Sequence, residues 1–452
     1  MWAREAGAVS IAWTGETEAM RHVFGRENEV QKWLEFEAAL ARAEARHGIV
    51  PPDAAAEITT KARVELYDLD ALRQDIAHAV HPIMPLVRRL AAACVPPAGE
   101  YVHWGATTQD VLDTALVLRL READALIDRE LRSLTDEIRG LAVRHRDTLM
   151  PGRTHGQHAV PITLGYKLAV WVDEFERHRR TLEAIRPTVF VGQFGGATGT
   201  LASLGPVGLD VRRDLMEDLG LGEPAITWHV SRDRFAHFAS ILAMIASAIQ
   251  RSASEIIALQ RTEIGEVSEP FHHGKVGSST MPHKRNPAMS EGLWTLGELV
   301  RNDVRTAMSS LSSLHERDKA VYAVEVDYLP RVCTHTHRML EVAITVFRGL
   351  TVDETRMREN VEASRGQLFS ERVMMQLAER LGRQRAHDIV YNLAIEAFEA
   401  GEHLRSVLDR SDTVTKAFSA AELDAMFDLD DAGVTAGMLV DRVCHGGGSG
   451  GA

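Results

Sequence analysis

Apolar residues recur along most of this chain with the period of a helix. Leu34, Ala38, Leu40 and Ala41 form one stripe, ended by Val50-Pro51-Pro52, and Asp53 stands where it would cap the next helix. A second break comes at Val95-Pro96-Pro97-Ala98-Gly99. From about residue 111 the runs lengthen. Leu131, Leu134, Ile138 and Leu141 share one face of a long proline-free run, and Phe238, Ile241, Ile245 and Ile249 mark another. Further long helices are expected over 287–311 and 331–348. Few segments alternate with period two, so strands should be scarce. Shorter helices return from 351, with Gly366, Gly382 and Gly401 as breaks. The pattern predicts an all-α protein with an N-terminal helical domain (1–110) and a central domain of long helices (111–350). A small C-terminal helical domain (351–445) and a glycine-rich, disordered tail (446–452) would follow. Long helices with wide apolar faces imply a bundle with apolar surface to bury against other subunits.

Composition narrows the class. At 452 residues the chain is too long for one compact core. Its hydrophobic share of 45% and charged share of 25% are those of a soluble globular protein. A net charge of -13 argues against a nucleic-acid binder, which normally shows a basic face, but leaves room for a local cationic pocket. Cys94, Cys333 and Cys444 are scattered without a C-x-x-C pair, which fits a reducing cytoplasm and no structural zinc. The N-terminus lacks the pattern of a signal peptide. The longest apolar stretch, 235–249, is broken by His237 and serines and is too short to span a bilayer, so no membrane is expected.

Three polar, glycine-bearing stretches interrupt the helical pattern. They are His103-Trp104-Gly105-Ala106-Thr107-Thr108-Gln109-Asp110, then Gly152-Arg153-Thr154-His155-Gly156-Gln157-His158-Ala159, and finally the segment from Gly277 to Pro287. That last segment, Gly277-Ser278-Ser279-Thr280-Met281-Pro282-His283-Lys284-Arg285-Asn286-Pro287, must be a shaped loop, because Gly and Pro exclude a regular helix or strand. Its polar groups suit an anionic ligand. Ser278 can serve as a base only if its alkoxide is stabilised, and Lys284 is near enough in sequence to help. Each stretch is expected beside the start of a long helix, where free backbone N–H groups favour anions. By themselves Thr107 and Thr108 read as N-caps, and His155 as a structural histidine. His335-Thr336-His337 invites a metal reading, but with no acidic or cysteine partner nearby it reads as helix surface. No metal or organic cofactor is called for.

The third segment resembles the signature loop of the fumarase/aspartase superfamily, G-S-S-x-x-P-x-K-x-N-x-x-x-x-E, with Glu291 at the last position. The resemblance extends over residues 10–443 and implies a homotetramer. In it, three subunits line each active site around a core of twenty helices. It implies further that Ser278 removes the Cβ proton of a small dicarboxylate and that Lys284 and Asn286 bind a carboxylate and its enolate-like form. Thr107 and Thr108 would hold a carboxylate, with Gln157 in the same substrate-binding set. His155 would orient the substrate or move protons near the leaving group. His81 resembles, loosely, a second histidine of the adenylosuccinate lyase branch. Glu291 would orient the loop. A proton beside a carboxylate is a poor acid, so such a site needs preorganised donors on the carboxylate oxygens, a base at the C–H, and a proton source for the leaving group. Glycines around the loop suggest a lid that closes over the substrate.

The branch is less plain. Adenylosuccinate lyases carry a serine and an arginine for the nucleotide phosphate where this chain has Tyr322 and Val326. Trp228-His229-Val230-Ser231-Arg232-Asp233-Arg234 is similar instead to the W-H-x-x-R-D-R of the 3-carboxymuconate cycloisomerase branch, and His315-Glu316-Arg317 resembles it too. Thr154-His155-Gly156-Gln157 is closer to the lyases. The expected activity is therefore anti elimination from a non-nucleotide substituted succinate, releasing fumarate and an amine, nitro or other N-linked group. Arg317 and Lys319 are candidates for contacting that group. The alternatives are a carboxymuconate cycloisomerase, an adenylosuccinate lyase, and an inert structural homologue.

Overall fold

A computed structural model describes residues 15–271 and 278–446. Gly277, the beginning of the signature loop and the tail beyond 446 lie outside them. The helices that carry the argument are, in chain order, α1 (Arg26–Arg46), α2 (Met84–Ala93), α3 (Thr108–Arg144), α4 (Leu164–Val189), α5 (Asp233–Leu259), α6 (Ala288–Ser309) and α7 (Lys319–Arg348). One hairpin, β1 (Leu149–Thr154) with β2 (Gln157–Thr163), and one short antiparallel pair, Val267–Ser268 with Thr351–Val352, are the strands among the described residues. The protein is all-α in class, as the period of its apolar residues dictates.

Two compact units are evident. The first takes residues up to Leu131, His178–Ile249 and Gly292–Glu341. Its core includes Leu34, Phe36 and Leu40 of α1, Leu116, Leu120 and Ile127 of α3, and Phe235, Phe238 and Ile245 of α5, all buried. Inside it Arg232 is 2% exposed, its guanidinium 2.8 and 2.9 Å from the two oxygens of Asp113 and its Nε 2.8 Å from Glu325. Two carboxylates and the faces of Trp228 and Phe235, each about 5 Å from the guanidinium carbon, enclose that one cation. Burial still pushes the Glu325 carboxyl up to about 7.

The second unit takes Arg132–Arg177, Gln250–Glu291 and the chain from Val342. Its C-terminal helices close over Val373, Leu377, Val390, Leu404, Val407 and Leu408. Gly382 and Gly401 end helices there, each at positive φ (82° and 64°), where a Cβ would be strained.

Several expectations need correction. Residues 149–163 form a hairpin, so the second polar stretch is a turn between strands and not the entry to a helix. Helix α7 starts at Lys319, not near 331, and Pro330 lies inside it, because one missing amide is tolerated where the rest of a long helix is well packed. Asp53 makes no capping bond, because the helix Pro52–Lys61 begins before it. Thr336 and His337 are not surface: they are 0% and 1% exposed, and His337 Nδ1 lies 3.0 Å from Thr17 Oγ1. The described residues hold no metal-like group of three His, Cys, Asp or Glu. Helix α5 is long and apolar enough to cross a membrane, unlike the shorter stretch considered from sequence, but 61% of its apolar window is buried inside the protein.

Candidate active site

In the first unit the site is organised by one carboxylate. Asp110, in the first turn of α3, is 0% exposed. Its Oδ2 accepts from the backbone amides of Thr107 (3.0 Å) and Gly196 (2.9 Å), and its Oδ1 from Gly195 N (3.0 Å) and lies 2.8 Å from His229 Nε2. Four donors satisfy a buried anion that would otherwise be costly. The glycines are required: a Cβ at Gly195 would lie 2.7 Å from Thr227 Oγ1, and Gly196 has φ +68°. Arg317 grips the other side of that loop, its Nη2 reaching the carbonyls of Gly196 (3.2 Å) and Ala197 (2.7 Å). The structure thus gives Arg317 a loop-holding contact.

Thr107 and Thr108 stand half-buried at the start of α3. His81 joins them, its Nε2 3.2 Å from Thr108 Oγ1, while its Nδ1 accepts from Met84 N at 3.1 Å. Burial, then the charges of Lys319 and His103, hold His81 below the usual histidine range. His103, at φ +64°, sits 2.7 Å from Glu37 through Nδ1. Burial alone would lower its pKa, but Glu37 outweighs burial and leaves it raised. Beneath lies Glu44, fully buried with neither oxygen bonded, and pushed up to about 9 by burial and by Glu37.

In the second unit His155 and Gly156 are the two turn residues of the hairpin, at φ +52° and +76°. Positive φ at both positions is the signature of a type I′ turn, whose twist suits the flanking strands. His155 and Gln157 are exposed there. The base of the hairpin is fixed by Arg153, which is bidentate to Glu266 (2.9 and 2.6 Å), and Glu266 also accepts from Asn360 at 2.8 Å.

Ser278 is half-buried. Its Oγ accepts from Met281 N at 3.1 Å and Thr280 N at 3.4 Å, a local hydroxyl turn. Lys284 is exposed and Asn286 half-buried. The downstream end of the segment is held firmly. Gln260 Nε2 donates to Arg285 O at 3.0 Å, and Glu269 accepts from Met289 N (3.2 Å) and Ser290 N (2.5 Å) at the start of α6. Gln260 Oε1 accepts in turn from Glu269 N at 2.9 Å. Glu291 is exposed in the first turn of α6.

The structure therefore brings Thr107, Thr108 and His81 together, with Arg317 on the adjoining loop. Ser278, Lys284 and Asn286 share one segment, and His155 and Gln157 share one turn. Sequence reasoning missed Asp110, Glu37, Glu266 and Glu269. Asp110 had a signal: it stands three residues after Thr107, the spacing of a reciprocal helix cap. Glu269 had none, since its partners are twenty residues away across the loop.

The model of the family described as Lyase matches residues 12–300, and that of the adenylosuccinate lyase C-terminus matches residues 366–443. The N-acetyl-S-(2-succino)cysteine lyase of Dickeya dadantii is 39% identical over 427 residues, 94% of each chain. The 3-carboxy-cis,cis-muconate cycloisomerase of Pseudomonas aeruginosa is 43% identical over 412 residues, 90% of each chain. The crystal structure of a fumarate lyase from Mesorhizobium sp. BNC1 superposes with a TM-score of 0.89 at 41% identity, covering 95% of this chain and 98% of that one. A helical frame that holds a hydroxyl-lysine-amide segment and a threonine pair, matched along nearly its whole length, places the chain in the fumarase/aspartase superfamily of lyases.

Proposed function

We propose that the protein catalyses anti β-elimination from a small 2-substituted succinate, giving fumarate and the free substituent. Ser278 takes the Cβ proton. The two electrons of that C–H bond pass into the adjacent carboxylate, giving a dianionic enediolate, and then form the C=C bond as the substituent leaves with its own pair. Lys284, Asn286, Thr107 and Thr108 donate to the carboxylate oxygens where the extra charge gathers, His155 protonates or orients the departing group, and Gln157 completes the binding set, with His81 held against Thr108. Glu291 orients the loop. The enzyme acts as a homotetramer in which three subunits build each site, and no cofactor takes part.

The observation that carries this reading is the anchoring of the signature segment. Glu269 and Gln260 fix the backbone from Arg285 to Ser290, so Lys284 and Asn286 leave a held frame, while the Ser278 hydroxyl accepts, among the described residues, from the amides of its own turn. Electrostatic stabilisation of an enediolate needs donors that are already positioned, and such a frame supplies them.

Tyr322 and Val326 supply no charged clamp for a phosphate, which favours a non-nucleotide substituent. N-acetyl-S-(2-succino)cysteine leads the panel to be tested because the Dickeya relative is named for it, with amino-, nitro- and N-linked succinates beside it. The second reading is a cycloisomerase, favoured by the likeness to the Pseudomonas enzyme. The W-H-x-x-R-D-R residues do not decide it, because they are structural here: Trp228 Nε1 donates to Gly192 O, His229 holds Asp110, and Arg232 joins Asp113 to Glu325.

Each substrate should be mixed with the protein and fumarate followed by its ultraviolet absorbance, with released thiol titrated separately. Fumarate formation that disappears in Ser278→Ala is expected. Consumption of the carboxymuconate diene without fumarate would establish the second reading, and full activity in Ser278→Ala would remove the serine from its role.

A further inference from the structure

The hydrogen bonds around His81 have a direction that the atoms themselves fix. A backbone N–H only donates, so Met84 N, 3.1 Å from His81 Nδ1, makes that nitrogen the acceptor. The neutral ring then carries its one proton on Nε2. Nε2 lies 3.2 Å from Thr108 Oγ1 and must be the donor to it. With a lone pair of Oγ1 occupied, the hydroxyl hydrogen of Thr108 points elsewhere, and no described residue takes it. Burial, and then the charges of Lys319 and His103, disfavour a second proton on the ring.

We propose that His81 is a positioning residue: by donating to Thr108 Oγ1 it turns the hydroxyl hydrogen away from the ring and toward a carboxylate oxygen of the substrate. The inference rests on the dicarboxylate reading above and gives His81 a role without contact to the reacting carbon. A free threonine hydroxyl rotates to suit water, whereas one that already accepts from His81 has its hydrogen directed away from the ring, where an anion gains most from it. The same ring caps the first amide of α2, so the threonine and that helix are set by one side chain.

The test is a cycle of His81→Ala, Thr108→Val and the double variant, read by calorimetric binding of fumarate and by KM and kcat with any substrate found. Thr108→Val is expected to weaken fumarate binding by about tenfold or more, the worth of a hydrogen bond to a charged group. His81→Ala should weaken it severalfold, with KM moving and kcat changing less. In the Thr108→Val background, His81→Ala should then have no further effect. His81→Asn is the control for folding, because its short amide can still accept from Met84 N but cannot span to Thr108. It should recover thermal stability and not recover binding. Additive losses in the cycle, or recovery of both properties in His81→Asn, would overturn the relay, as would a wild-type protein that binds no dicarboxylate. Tight fumarate binding without turnover of any substituted succinate would instead sink the proposed reaction and leave the relay standing.

Discussion

Glu44 shows how far burial alone can move a single group. Both of its oxygens are unbonded and it lies near another carboxylate on the same helix face, seven residues back. Its ordinary value is 4.5 and its folded value about 9, so the folded protein keeps a proton that the unfolded chain gives up. The sign follows from linkage: this group costs nothing below 4.5, and stability is lost steadily as pH rises from there toward 9. Glu44→Gln should remove that loss, which at about 1.4 kcal/mol per pH unit amounts to as much as about 5 kcal/mol at pH 8, and leave stability at pH 4 nearly unchanged. Urea unfolding across that range measures it, and parallel pH curves for variant and wild type would refute the assignment. Glutamine keeps the volume and carries no charge at any pH.

At the scale of elements, the entry to α6 is where local structure and chemistry meet. The first amides of any helix lack internal partners, and here a glutamate from before the loop fills the role. Removing it leaves two amides unmet and frees the segment that carries Lys284 and Asn286. Glu269→Ala should cost about 1–2 kcal/mol in stability, the range of a lost cap. Its effect on turnover should be larger than that figure suggests, because a misplacement of about 1 Å in a catalytic segment costs on the order of a hundredfold. Hydrogen exchange should speed up in the first turn of α6 and not in α3. Unchanged exchange there, with turnover intact, would show that the segment is held by something else. The hairpin that presents His155 depends in the same way on Glu266, whose buried carboxylate joins Arg153 to Asn360.

At the scale of the whole molecule, the exposed apolar side chains carry the argument. Trp294, Leu299 and Met308 of α6 and Met244 of α5 are each between 43% and 49% exposed. Large apolar residues exposed on the long helices of one subunit need cover, and further copies of the same chain supply it in the proposed tetramer. Light scattering should give the mass of four chains. Leu299→Glu should shift the assembly to smaller species and abolish turnover with them, because each site is proposed to need three subunits. A fully active monomer would contradict the shared site.

The all-α class, the long helices and their apolar faces were legible in the linear pattern, because helix periodicity is a local property: Leu131, Leu134, Ile138 and Leu141 declare one face of α3 wherever that face ends up. The segment to which the proposed chemistry is assigned was legible too, since Ser278, Lys284 and Asn286 lie within nine residues of one another. Local signals fell short at the start of α7, which lies at Lys319 and not near 331, and where a two-residue turn at His155 and Gly156 hid a hairpin. Only the tertiary structure decided what holds each group. Asp110 takes its donors from 85, 86 and 119 residues away, and the direction of the His81 hydrogen bonds depends on an amide and a hydroxyl meeting one ring. Hydrophobic periodicity is encoded between neighbours, whereas the satisfaction of a buried charge is settled among groups that only folding brings within 3 Å of one another.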